Sequence, residues 1–330
     1  MNIELKNSTA EKNSSLRKSK KITSLIGGSK SDIRRFRESA KKMHVHLNCI
    51  SNVHYVMNGE EETSLYIQEN KDIEETLIIG YEDYLPMIRS THNMAIKADL
   101  MALSSNNILC TSNHIAVNRC ANKIITQAVV GRNKNIRYPK AIILKRGIEL
   151  SDIQELIEKH FKNLEYFILQ LPYGSQGKTT FLAANPREIH LLLQLSPLII
   201  VKEFIDTKID NKVSSVRLFF VDAEFVAGFK AYGFDHTSNV SKHHNAEPFM
   251  NPPQELLDMS DEVMKELKCY DVAGIDFIQS VETGKWYFLE ANSNPGFGIA
   301  DITGVDVPGK IIDFSLRNGL SDKAKKLRDA

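Results

Sequence analysis

Asp276, Glu290 and Asn292 are three oxygen-bearing side chains set in two apolar runs, "AGIDFIQ" and "FLEANSNPGFG". Glu290 and Asn292 are two apart, so on a strand they share a face. A lone carboxylate at the end of an apolar strand is costly to bury. Residues 273–292 read as a hairpin. A three-residue loop at 282–284, with Gly284 left-handed, pairs residue 281 with 285. Asp276 then falls opposite Glu290, on the face that carries Asn292. Carboxylates about 5 Å apart repel unless a proton or cation separates them, so removing one should stabilise the unliganded protein. Hard oxygen ligands with positions left open for phosphate describe a Mg2+ site. Solvent-facing acids on an ordinary hairpin are the alternative that the spacing leaves open.

A second piece is "YGSQGKTT" (173–180), which has Pro172 where a P-loop needs glycine and strand-like sequence on both sides. A glycine-rich hairpin can still cover phosphates with backbone N–H groups. Lys123, Arg217 and Lys230, from separate segments, could converge on a polyphosphate, or each be an ordinary surface charge.

The elements that must position these residues belong to a chain of 330 residues, 42% hydrophobic and 25% charged, long enough for two or three domains. A formal net charge of +1 gives no general pull toward nucleic acid or an anionic membrane. No run approaches a membrane-spanning length, and "LLLQLSPLIIV" is broken by Gln, Ser and Pro. Residues 1–21 read as a disordered basic leader, and "ITSLIGG" after them is too short for a signal peptide. Cys49, Cys110, Cys120 and Cys269 lack CxxC spacing and read as core thiols of a reducing cytoplasm. His44 and His46 are placed on one strand face, with too few neighbours for a metal site.

Strand–helix alternation from 22 to about 118 predicts a small open α/β domain. Residues 117–144 read as one helix, a turn and a strand, and "SDIQELIEKHFKNL" as a capped amphipathic helix. Two strands flank the glycine-rich turn of 166–183, and 197–205 is a strand. Residues 213–233 form a hairpin turning near Asp222-Ala223, and a helix over 253–269 precedes the last hairpin.

In this order the parts resemble the ATP-grasp superfamily, specifically RimK-like carboxylate–amine ligases, over about residues 84–315. "VNRCANK" (Lys123) looks like the family's opening segment, and "QLPYGSQGKT" its glycine loop (Gln170, Gly174, Ser175, Gln176, Gly177, Lys178). "IVKEFI" (Lys202, Glu203, Phe204) resembles the interdomain strand that holds adenine, and "SVRLFFVDAEFVAGF" (Ser215, Arg217) the hairpin that follows. Ser238 and Asn239 stand where a further nucleotide-side motif sits, and "TGVDVPGKIIDF" matches the closing helix. Asp276, Glu290 and Asn292 carry over as Mg2+ ligands.

The resemblance implies an α/β and α+β protein with the ATP-grasp fold. Its parts would be a pre-ATP-grasp domain (22–118), a small lid subdomain (119–200) and a carboxy-terminal subdomain with the Mg2+ site (201–330). It implies ATP and Mg2+ (or Mn2+) as cofactors, with small-molecule or peptide carboxylate and amine substrates, and no nucleic acid or membrane partner. It places the protein in the cytoplasm and is compatible with a homodimer. Arg217 and Lys230 would act in catalysis on an acyl phosphate. The usual lysine entering the glycine loop is Gln170, with Lys178 or Lys202 as substitutes. The usual ribose-contacting acid is Ser215, with Asp206 or Asp210 as substitutes. The rival readings are a kinase, a carrier-protein thiol ligase, and a nucleotide-binding protein without catalysis.

Overall fold

The computed structural model describes residues 22–27, 30–57, 63–69, 86–89, 114–162, 164–173, 179–208, 212–233, 245–317 and 320–330. The chain divides into two compact units, one of 1–111 with 308–319 and one of 112–307 with 320–330.

In the first unit, strands β1 (Ile22–Gly27), β2 (His46–Met57), β3 (Thr63–Glu69) and β4 (Pro86–Arg89) form one sheet in the order β3-β2-β1-β4. Strand β1 is parallel to both neighbours, joined to β2 by helix α1 (Lys30–Lys42), as βαβ alternation predicts. Helix α1 has Asp32 in its first turn, two lysines in its last, and buries Phe36 and Ala40. Strand β3 folds back antiparallel on β2, so the sheet is mixed. His44, at φ +55°, lies in the turn that ends α1, so it does not share a strand with His46. Most of helix α8 (Val307–Leu316) belongs to this unit.

The second unit opens with two short helices, α2 (His114–Ala121) and α3 (Lys123–Val130), in place of the single helix expected. Asn122 divides them. Its extended backbone and its Oδ1, which accepts the N–H groups of Ile124 and Ile125, make it the cap of α3. Strands β5 (Ala141–Lys145), β6 (Phe167–Gln170), β7 (Thr180–Ala183) and β8 (Leu198–Glu203) form an antiparallel sheet in the order β5-β8-β6-β7. Helices α4 (Leu150–His160) and α5 (Pro186–Leu195) bury Ile153, Ile157, Ile189 and Leu193 against Leu144, Phe167, Leu169, Ile199 and Val201. Helix α4 starts before the serine expected to cap it, and its cap position, Glu149, makes no side-chain bond. Helix α5 carries the stronger signal, an Asn185 cap followed by Pro186.

Strands β9 (Val213–Val221), β10 (Glu224–Gly233), β11 (Ala246–Pro248), β12 (Val272–Gln279) and β13 (Trp286–Asn292) form the larger sheet, in the order β11-β10-β9-β12-β13. Helix α6 (Gln254–Leu267) covers one face. Its Leu256, Val263, Met264 and Leu267 pack on Val216, Leu218, Phe220, Ile275, Phe277 and Phe288. By period-two alternation, Ser215, Arg217, Asp276, Glu290 and Asn292 look the other way. Short helices α7 (Ile299–Thr303) and α9 (Asp322–Asp329) follow. Cys120 and Cys269, 149 positions apart by number, come together here as free thiols in one hydrophobic cluster.

Candidate active site

Arg217 on β9, Asp276 on β12 and Glu290 on β13 stand side by side, since Asp276 pairs with both of the others. Asp276–Glu290 is the pairing expected, but it arises by another route. The turn has four residues, 281–284, because the Ser280 N–H donates to the Lys285 carbonyl. The Ser280 hydroxyl accepts from the Thr283 N–H, and Gly284 takes φ +68°. The extra residue moves the register by one, and a bulge at Leu289 moves it back before Asp276.

Arg217 is forked onto Asp276, with Nε and Nη2 each donating to one carboxylate oxygen at 2.5 Å, and it lies 3.9 Å from Glu290. Asn292 donates to Glu290 Oε1 at 3.4 Å. Burial pushes Asp276 up to about 6 against the pull of Arg217. Burial also raises Glu290, but Lys123 and then Arg217, Asn292 and Lys202 hold its carboxyl below the usual range. Burial opposes the charge on Arg217, and Asp276 more than offsets it, so its pKa rises. Lys202, 4% exposed on β8, is lowered by burial to about 8, with Glu290 working against the drop and Lys123 adding to it.

Lys123, Lys202, Arg217, Asp276, Glu290 and Asn292 are thus one electrostatic cluster, drawn from helix α3, strand β8 of the small sheet and three strands of the large one. Ser215 lies on the same face and is buried. Two carboxylates and a carboxamide oxygen are a donor set suited to a hard divalent cation. Among the described residues no cluster of three His, Cys, Asp or Glu occurs, so a metal here depends on the amide and on ligand oxygens.

Lys230 is not brought to this cluster. Phe229 pairs with Arg217, so Lys230, the next residue, points through the opposite face and lies over the Tyr232 ring at 5.2 Å. A two-residue turn at Asp222-Ala223 with unbroken register would set Lys230 opposite Ser215, on the Arg217 face. A bulge between Phe225 and Ala227 slips the register by one and turns it away. At the end of β8, the Glu203 carboxylate accepts from the Lys140 N–H at 3.1 Å, and Phe204 meets Tyr166 edge-on. Asp206 accepts from the Lys208 N–H within its own loop. Gly174, Ser175, Gln176, Gly177, Lys178, Asp210, Ser238 and Asn239 lie outside the described residues.

Two positioning residues escaped the sequence reading. Asn122 Nδ2 donates to Tyr173 Oη at 2.9 Å, and the Lys123 N–H donates to the Pro172 carbonyl at 2.9 Å. Together they tie the helix bearing Lys123 to the stem of the glycine-rich segment. Asn before a short apolar helix was the available signal. Gly274 is the other. A Cβ there would meet Pro295 Cβ at 2.6 Å, with Arg217 Cδ at 3.7 Å. A glycine inside a strand, two residues before an aspartate, marks such a close approach. Gly274→Ala is expected to cost about 1–3 kcal/mol of stability as overpacking, with Pro295 displaced beside Arg217. Calorimetry checks this, and a wild-type melting temperature would contradict it.

The RimK-like ATP-grasp domain description matches residues 120–315, which include both sheets and every member of the cluster. The chain belongs to the RimK-like ATP-grasp family. The coenzyme gamma-F420-2:alpha-L-glutamate ligase of Methanocaldococcus jannaschii is 27% identical over 198 residues, 57% of this chain and 63% of that protein, just under two thirds of its length. A probable alpha-L-glutamate ligase of a Picosynechococcus species is 25% identical over 299 residues, 88% of this chain and 93% of that one. Among solved structures, a RimK domain ATP-grasp protein of Sphaerobacter thermophilus superposes with TM-score 0.62 at 14% identity, covering 89% of this chain and 99% of that one. The ATP-grasp ligase PsnB, solved with a minimal precursor, Mg and ADP, gives 0.62 at 12%, covering 92% and 98%. These likenesses establish the fold. RimK-like ATP-grasp ligases join a carboxylate to an amine with ATP. Among the described residues no helix is long and apolar enough to cross a membrane.

Proposed function

We propose that this RimK-like protein binds Mg·ATP between its two sheets and uses it to form an amide bond. The carboxylate of one substrate attacks the γ-phosphorus, ADP leaves, and the resulting acyl phosphate is attacked at carbon by an amine. Phosphate and a proton are released. The observation that carries the reading is the cluster itself: two carboxylates and an amide on one strand pair, surrounded by Lys123, Lys202 and Arg217.

Asp276, Glu290 and Asn292 would hold Mg2+ (or Mn2+), which supplies charge neutralisation on the transferring phosphoryl group. The chain supplies the rest. Arg217 is held by Asp276 beside the position where negative charge develops. Lys202, buried and lacking a hydrogen-bond acceptor among the described residues, is the cation that stands in for the neutral Gln170. The end of β8, Glu203 and Phe204, would receive the adenine, Ser215 the ribose side, and residues 174–178 the phosphates. Residues 22–118, 119–200 and 201–330 would serve as the pre-ATP-grasp, lid and metal-bearing parts. The compartment is the cytoplasm, which supplies ATP and keeps thiols reduced.

The relatives' names make L-glutamate the first amine to try, with amino acids and short peptides as the acids. Release of ADP and phosphate that requires acid and amine together supports a ligase. Nucleotide binding without turnover on any such pair would contradict it.

A further inference from the structure

One face of the β5-β8-β6-β7 sheet packs on its helices. By alternation, the other carries Ile143, Ile168, Leu182 and Ile200, with Lys145 at its edge and Gln170, Thr180 and Lys202 nearer its middle. Lys202 pairs with Ile168 and Gln170 with Ile200, so Gln170 and Lys202 are diagonal neighbours on adjacent strands, within reach of one ligand. Gln170 Nε2 donates to Thr180 Oγ1 at 3.3 Å. Its Oε1 is buried and has no hydrogen-bond partner among the described residues.

A buried amide oxygen left unpaired is costly, and what the site binds can relieve it. A polyphosphate cannot, because ionised phosphate oxygens only accept. The carboxamide needs a donor for Oε1 and, beside it, an acceptor for its second N–H. Adenine offers that pair on its major-groove edge, the N6 amino group next to N7. Guanine and hypoxanthine present two acceptors there, O6 and N7, and would set O6 against Oε1. Ile168 and Leu182 on the same face, both partly exposed, provide an apolar floor for a purine ring.

We propose that Gln170 is a specificity-determining residue of the nucleotide site, accepting from adenine N6 through Oε1 and donating to N7 through Nε2. The proposal rests on the reading that ATP lies between the two sheets. The neutral amide and the cation then divide the work, Gln170 on the base and Lys202 on the phosphates.

The test is equilibrium binding of Mg·ATP, Mg·ITP and Mg·7-deaza-ATP to the wild type, Gln170→Lys and Gln170→Met. The wild type is expected to prefer ATP to ITP and to 7-deaza-ATP by roughly tenfold or more, the discrimination of one bidentate base contact. Lysine, which only donates, suits O6 and N7, so Gln170→Lys shifts the ratio toward ITP. Methionine, which neither donates nor accepts strongly, collapses both preferences. An ATP:ITP ratio unchanged in both variants, or equal wild-type affinity for the two, overturns the inference while nucleotide binding stands. Failure of the wild type to bind any of the three overturns the underlying reading as well.

Discussion

Glu290→Ala is expected to abolish detectable turnover while leaving the fold intact. Glu290 faces Asp276 directly, accepts from Asn292, and is the carboxylate on which Lys123, Arg217 and Lys202 all act. Without it the proposed metal keeps one carboxylate, itself forked onto Arg217. Removing one preorganised electrostatic group costs about 10²–10³ in rate in well-studied enzymes, and losing a metal ligand adds to that. The effect on the unliganded protein has a definite sign. Taken alone, two opposed carboxylates suggest that deleting one relieves repulsion. The structure reverses this, because cations outnumber acids in the cluster and Glu290 is held below its usual pKa. Its folded-state interactions therefore favour the charged form, so at neutral pH the alanine variant should melt slightly below wild type. Steady-state kinetics and calorimetry check the pair of outcomes. Retained activity, or a clear rise in melting temperature, would contradict the assignment.

Lys202→Met should separate stability from binding. The lysine is buried, burial is the largest influence on it, and no hydrogen bond satisfies its ammonium among the described residues. Its pKa is lowered to about 8 even with Glu290 beside it, so folding disfavours the charged lysine, and an apolar side chain of similar length removes a net cost. The unliganded variant should melt at or above the wild-type temperature. Nucleotide affinity should fall by about 10- to 100-fold, the worth of one charge-assisted hydrogen bond. A lower melting temperature with unchanged affinity would make Lys202 a structural partner of Glu290 rather than a ligand for phosphate.

The two hairpins show how far the sequence could be read and where it stopped. Alternation in "AGIDFIQ" and "FLEANSN" was enough to choose the face shared by Asp276, Glu290 and Asn292. Their pairing came right although the loop is one residue longer than expected, because the bulge at Leu289 cancels the slip. In the β9–β10 hairpin the turn at Asp222-Ala223 was legible, both residues taking positive φ. There a single bulge near Val226, with no compensating change, flips Lys230 to the far face. Neither bulge has a glycine or proline to announce it. The convergence of Lys123, Lys202 and Glu290 is also non-local, since three separate elements must pack before their charges meet. Asn122 and Gly274 were different, because each carried a local signal, a cap residue and a strand glycine.

The most direct test of acyl-phosphate chemistry follows an oxygen atom. An acid that supports ADP release is labelled with 18O in its carboxylate and incubated with the protein, Mg·ATP and the amine, and the released phosphate is weighed by mass spectrometry. Attack of the carboxylate on the γ-phosphorus, followed by displacement at carbon, leaves one labelled oxygen in each phosphate and the remainder in the amide product. One label per ADP is the predicted result. Unlabelled phosphate, or a phosphoryl group retained on the product, would contradict it.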